Sequence, residues 1–177
     1  MLTLSVLTGL FVSLSFAQFT TGTKSVSSVF SYSSLKAHKD ATDNTNITVI
    51  NPTGSYFVID NIAVDVGIDL TTRKTGDSEY KTTDIGFGGA YYYPLETGSV
   101  YGGGGFKMGS TTDGDSDAVK ANYLNIKAGY LYGLTENWYF DIGLRYDMQM
   151  GKMKQGSVEG TEGASNMMFG IGLATFF

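Results

Sequence analysis

The sequence predicts an all-β chain: eight antiparallel strands in up-and-down order, closed into a barrel that spans a membrane. Three observations predict it. Apolar side chains recur at every second position along most of the chain, a spacing that strands show and helices cannot. Short turns alternate with longer polar connections, which collects the short turns at one end of the molecule. Glycine is abundant at 24 of 177 residues, proline is scarce at 2, and aromatic residues make up 14%; that balance suits many short strands better than long helices.

Length and charge narrow the rest. A chain of 177 residues is one domain by size. The first charged residue is Lys24. The stretch MLTLSVLTGLFVSLSFA reads as a secretory signal peptide over residues 1–17, leaving the barrel domain as 18–177. It departs from the usual pattern in having no Lys or Arg at its start, and it is too short and too rich in Ser and Thr for a spanning helix of about 20 apolar residues. The net charge of −5 argues against a nucleic-acid partner, whose phosphates need a basic face. With no cysteine, neither disulfides nor thiol chemistry enter.

The strands are expected at about 22–35, 45–58, 62–73, 80–93, 98–110, 119–132, 138–151 and 164–177. Ser and Thr blur the alternation of the first two, and Pro52 suits a bend or a turn. In the third, Ile62, Val64, Val66, Ile68 and Leu70 share one face; Ala63, Asp65, Gly67, Asp69, Thr71 and Arg73 share the other. The fourth, with Gly86 and Gly88, and the fifth, which holds YGGGGFKMG, place glycine on the polar face. The sixth slips phase near Asn122 and Tyr123, the mark of a bulge. The seventh sets Phe140, Ile142, Leu144, Tyr146, Met148 and Met150 against Asp141, Gly143, Arg145, Asp147 and Gln149. The eighth sets Met167, Phe169, Ile171, Leu173, Thr175 and Phe177 against Asn166, Met168, Gly170, Gly172, Ala174 and Phe176. Tight turns are expected at 59–61, 94–98 and 134–137, and longer loops at KAHKDATDN, KTGDSEY, STTDGDSDA and KMKQGSVEGTEG.

Alternation alone leaves two barrels open: a soluble one with its apolar face inward, or a membrane one with that face toward lipid. The polar face favours the second. It interleaves Asp65, Asp69, Arg73, Asp84, Lys107, Lys127, Asp141, Arg145 and Asp147 with many glycines, which suits a narrow lumen where bulky neighbours such as Tyr101 need room. Tyr56, Phe57, Tyr91, Tyr93, Tyr130, Tyr132 and Trp138 lie near the short turns, where an interfacial girdle belongs. DNIAVDVG at 60–67 also repeats as ENWYFDIG at 136–143, so the two hairpins are expected to run the same way.

INPTGSYFVIDNIAVDVGI, through Pro52, Gly54, Tyr56, Phe57, Asp60 and Asn61, resembles the second hairpin of the outer-membrane β-barrel domain family, the small OmpA/OmpX-like barrels; Ser55 between Gly54 and Tyr56 departs from the usual spacing. GLTENWYFDIGLRYD resembles the family's turn into its seventh strand, and Phe177 its final residue. The resemblance covers essentially the whole chain after residue 17. It implies a closed barrel in the outer membrane of a Gram-negative bacterium, inserted by the barrel assembly machinery. It also implies that Phe169, Ile171, Leu173 and Phe177 form a C-terminal insertion signal.

Candidate chemistry is sparse. His38, the single histidine, lies in the polar loop KAHKD with Ser33 and Ser34 nearby; a lipid-modifying site would need it on a rigid element, so a solvated loop residue and no enzyme is the expectation. Asp113, Asp115 and Asp117 have the alternate spacing of calcium ligands, but Ala118 and Leu124 stand where an EF-hand needs Gly and Glu. In YGGGGFKMG, Lys107 is not followed by Ser or Thr and the spacing is wrong for a phosphate loop. The lumen charges are expected to pair into a network that fills the barrel, because a lone buried charge is costly. These readings give a monomeric structural or surface-interaction barrel without cofactor, whose partners are outer-membrane lipids, the assembly machinery and surface ligands met by its loops. A narrow pore for small solutes or ions is the alternative.

Overall fold

Eight strands follow one another around a ring. In the computed structural model, which describes residues 19–36, 44–112, 119–155, 158–159 and 165–177, they are β1 (Lys24–Lys36), β2 (Asn44–Ile59), β3 (Ile62–Thr75), β4 (Ser78–Leu95), β5 (Gly98–Thr112), β6 (Val119–Gly133), β7 (Trp138–Gln155) and β8 (Ser165–Phe176). Each pairs antiparallel with the next, and β8 returns to β1, so the sheet is closed. A two-residue strand, Val158–Glu159, extends the far end of β7. Closure leaves no open sheet edge along the ring, which is what a hydrocarbon environment demands of a β-structure.

The turns follow local chemistry. Asp60 and Asn61 join β2 to β3 with Asn61 at φ 63°, a left-handed conformation that asparagine tolerates better than most residues. Between β6 and β7 the Leu134 amide donates to the Trp138 carbonyl at 2.8 Å and the Trp138 amide donates to Thr135 Oγ1 at 3.2 Å. One connection differs from expectation. KTGDSEY is not a long loop: β3 and β4 run on to Thr75 and Ser78, and Gly76, with φ 56°, and Asp77 close a two-residue turn. Its polar residues belong to a hairpin extending past the apolar band.

Pro52 lies within β2 rather than at a turn. Opposite it the β2–β3 ladder is interrupted without any change of register, since proline has no N–H to give. The neighbouring Asn51 side chain donates to the Ile68 carbonyl at 3.3 Å, supplying the missing donor. The phase slip expected in the sixth strand is not there: β6 alternates regularly through Asn122 and Tyr123 and stays in register with β5, and the irregularity is a register shift on the β6–β7 ladder between Lys120 and Asn122. The extra residues are on β7, around Gly151 at φ 73°.

The faces divide as membrane physics requires, and the soluble-barrel alternative falls. The rows Ile62 to Leu70, Met167 to Leu173 and their neighbours point outward, with Val66 63% and Met167 68% exposed; Asp69 and Lys107 point inward at 3% and 4%. Of the girdle aromatics, Tyr56, Tyr91, Tyr93, Tyr132 and Trp138 are exposed on the outer face, whereas Phe57 is fully buried inside. Adjacent strand residues point to opposite sides, so the pair Tyr56–Phe57 could not both face lipid.

Candidate functional site

The lumen is built in three layers. Alternation on β3, β4, β5 and β7 brings Asp69, Asp84, Lys107, Arg145 and Asp147 to one level. Lys107 donates to Asp69 and Asp147, both at 2.7 Å, and lies 3.6 Å from Asp84. Arg145 grips Asp69 with two nitrogens, Nη1 to Oδ1 at 2.9 Å and Nη2 to Oδ2 at 2.7 Å. This is the forked geometry that makes guanidinium–carboxylate pairs strong. Its Nε is 3.4 Å from Asp147, and Asn51 donates to Asp69 at 2.5 Å. Asp69 is thus the shared acceptor of two cations and an amide.

Below this hub, Lys127 on β6 pairs with Asp65 and the Tyr101 hydroxyl donates to Asp141 at 2.9 Å. Tyr101 fits because glycines face it: a Cβ on Gly129 or Gly143 would lie 2.5 or 2.7 Å from its hydroxyl oxygen. The two acids of the internal repeat, Asp65 and Asp141, are therefore held at this level by different partners, one by an ammonium and the other by a phenol. Arg73 does not join them. Two pleats beyond Asp69 on β3 it is already exposed at the rim, so the lumen network expected to include it stops short of it.

The floor is aromatic. Phe19, just ahead of β1, stacks on Phe176 with centroids 4.3 Å apart, and Phe57, Tyr92 and Tyr139 surround it at 5.1 to 5.8 Å. The segment is clasped to the β2–β3 turn: the Asn61 amide donates to the Phe19 carbonyl at 2.7 Å, and the Thr21 amide and hydroxyl donate to Asp60 at 2.8 and 2.9 Å. These bonds hold the exposed Asp60 carboxyl below its ordinary range. Sequence reasoning missed Phe19, because a single aromatic ahead of the first strand has no periodicity to reveal it.

What space remains lies toward β1 and β2, whose inward residues are small. A cavity of about 110 Å³ is bounded by Val29, Ser31 and Thr53 on that side and by Asp65, Lys127 and Arg145 opposite; a second of about 60 Å³ continues toward the floor past Ser27 and Ser55. YGGGGFKMG forms part of β5, paired on both sides, rather than a loop. Residues 1–17, His38, and Asp113, Asp115 and Asp117 lie outside the described residues; Ser33 is exposed near the end of β1.

No family model and no curated protein matches the chain. Solved structures do. Neisserial surface protein A aligns at TM-score 0.60 and 18% identity over 88% of this chain and 96% of its own. The fold is that of the small outer-membrane barrels. The outer membrane protein OprG of Pseudomonas aeruginosa aligns at 0.58 and 16% over 90% and 97%. Ail, the attachment invasion locus protein of Yersinia pestis, aligns at 0.54 and 20% over 89% and 99%. In this small-barrel fold the final strand closes the ring. Here Phe169, Ile171, Leu173 and Phe177 form an exposed outward row, and Lys24 and Phe177 exchange backbone hydrogen bonds of 2.8 and 2.9 Å.

Proposed function

We propose that this protein is a monomeric outer-membrane barrel with a structural and surface-interaction role, its lumen packed shut, and that it is neither a pore nor an enzyme. One observation carries the reading: the cross-section at Lys107 and Arg145 is occupied by side chains that bind one another, above an aromatic floor. An eight-stranded barrel has an interior just wide enough for side chains to fill. A conducting path wider than the small cavity beside β1 and β2 would have to dismantle ion pairs that are expensive to break in a low-dielectric interior.

In this reading residues 1–17 direct export and are removed. Phe169, Ile171, Leu173 and Phe177 address the chain to the barrel assembly machinery, and the loops meet ligands at the cell surface. The surface-attachment name of Ail supports the last part only by likeness of fold. Purified protein in planar bilayers tests the central claim. Wild type and Arg145→Leu should both lack stepwise conductance, the variant being less stable. A steady single-channel current in the wild type overturns the reading. An Arg145→Leu variant that acquires a large, selective current overturns the reading that the network as a whole packs the lumen, leaving Arg145 as a plug in a path that is otherwise open.

A further inference from the structure

The lumen charges do not balance, and part of the shortfall lies beside a cavity. At the hub Asp69, Asp84 and Asp147 face Lys107 and Arg145, in a layer that side chains fill. One level down, Asp65 and Asp141 share Lys127, and its ammonium goes to Asp65. Asp141 is 5% exposed. It accepts a hydrogen bond at Oδ1 from the neutral Tyr101 hydroxyl, and its second oxygen has no partner among the described residues. This level therefore holds one carboxylate more than it holds cations.

Across the cavity from Asp141, β1 and β2 present hydroxyls. Ser25 opposes Ser55 and Ser27 opposes Thr53 in the β1–β2 ladder, and all four line the smaller cavity together with Asp141. Ser25 is 4% exposed, yet neither it nor Ser27 nor Ser55 makes a side-chain hydrogen bond among the described residues. These serines help to blur the alternation of the first two strands. Packing alone does not account for them, since a buried hydroxyl without a partner is costly. The cavity ends on Tyr92, Leu131 and Phe176, and the larger one continues from it past Asp65 and Lys127. Together they form a chamber that is blind at the aromatic floor.

The geometry points to a binding site in this chamber for a small monovalent metal cation, sodium or potassium, held by the Asp141 carboxylate and the hydroxyls of Ser25, Ser27 and Ser55. An all-oxygen set suits a hard cation. The excess at this level is one negative charge, which one monovalent ion cancels; a divalent ion would leave the chamber positive beside Lys127. Among the described residues no three acidic or imidazole side chains gather into a metal site of that kind. Water alone serves the hydroxyls but leaves Asp141 uncompensated in a low-dielectric interior. The cavities measure about 60 and 110 Å³, and a water needs roughly 10–15 Å³ on that scale, so the ion enters with part of its hydration shell. The site rests on the packed lumen but is read by stability rather than by current, so the two fail in different experiments.

Urea unfolding of the barrel in lipid vesicles tests it, in sodium, potassium or N-methylglucamine chloride at the same ionic strength of about 0.15 M. The organic cation is too large for the chamber. An ion that binds only the folded state raises the folding constant in proportion to its concentration once that exceeds Kd. Exchanging N-methylglucamine for sodium or potassium should therefore raise the wild-type folding constant about tenfold. Asp141→Asn, and separately Ser25→Ala combined with Ser55→Ala, should abolish that difference, whereas Ser33→Ala near the exposed end of β1 should keep it. Equal wild-type stability in the three salts overturns the site, and so does a difference that survives in the variants. Stability that falls as pH rises with no dependence on the cation assigns the compensating charge to a proton and likewise overturns it. Stronger stabilisation by millimolar calcium than by sodium overturns the monovalent ion. Should Asp141→Asn fail to fold, the paired serine variant locates the effect.

Discussion

Replacing Lys107 by Met removes the hub cation while keeping a side chain of similar length. Lys107 is 4% exposed and sits 2.7 Å from Asp69, 2.7 Å from Asp147 and 3.6 Å from Asp84. Asp69 keeps Arg145 and Asn51; Asp84 and Asp147 lose their closest cation. Removing one partner from a buried ion pair costs about 3–5 kcal/mol, because the remaining charge stays buried without compensation. A solvent-screened pair would cost at most about 1 kcal/mol, so the two cases separate clearly. Urea unfolding in lipid vesicles reads the difference: with a slope of about 2 kcal/mol per molar, the midpoint should fall by about 2 M. Lys107→Met with Asp147→Asn should recover part of the loss, since the second change removes an uncompensated carboxylate, and the shortfall from additivity measures the coupling. A single variant within 1 kcal/mol of wild type, or a double variant whose losses simply add, would refute the hub as a source of stability.

Phe19→Ala should cost about 3 kcal/mol, the usual scale for emptying an aromatic core position, and the Asn61 and Thr21 amides should exchange faster with deuterium in the same sample. Gly103→Ala and Gly102→Ala make a matched pair on β5. A Cβ on Gly103 would lie 2.2 Å from the Gly89 carbonyl oxygen, whereas one on Gly102 meets nothing within 4 Å; refolding yield should drop for the first and hold for the second. Asp60 supplies a pH signature. Its folded pKa is depressed by the Thr21 hydrogen bonds, so its contribution is present above the unfolded value and is lost as pH falls through the folded one. The Thr21 amide resonance should therefore titrate with a midpoint below 3.8, and Asp60→Asn should abolish that titration.

The wall was readable because lipid outside and paired charge inside impose one period of two on every strand. Ile62 to Leu70 and Phe140 to Met150 announced their faces before any packing was known. The hub residues were readable for the same reason, since Asp69, Lys107, Arg145 and Asp147 interrupt apolar runs at alternate positions. Local pattern failed where tertiary reach decides. Lys74 to Glu79 are polar whether they lie in a loop or in a hairpin above the membrane, so the extension of β3 and β4 left no trace in composition. Arg73 has the inward phase, but its height on the strand puts it beyond the hub. Phe57 looked like a girdle residue because it follows Tyr56, and only its opposite phase gave it away. Asn51 and Phe19 do their work through Ile68 and Phe176, partners distant in sequence, which no short window contains.

The aromatic floor has a temporal consequence. Phe19 belongs to the beginning of the chain and Phe176 to the last strand, with the full circuit of the barrel between them. Contacts of such separation form late, after the entropy of closing the intervening chain has been spent. The seal can thus exist only once β8 has been laid against both β7 and β1. A barrel with a missing or slipped strand would carry Phe19 and its neighbours uncovered at one end. The stack is a completion mark written into the chain, by which a finished barrel differs from an almost finished one in the apolar surface it shows at that end.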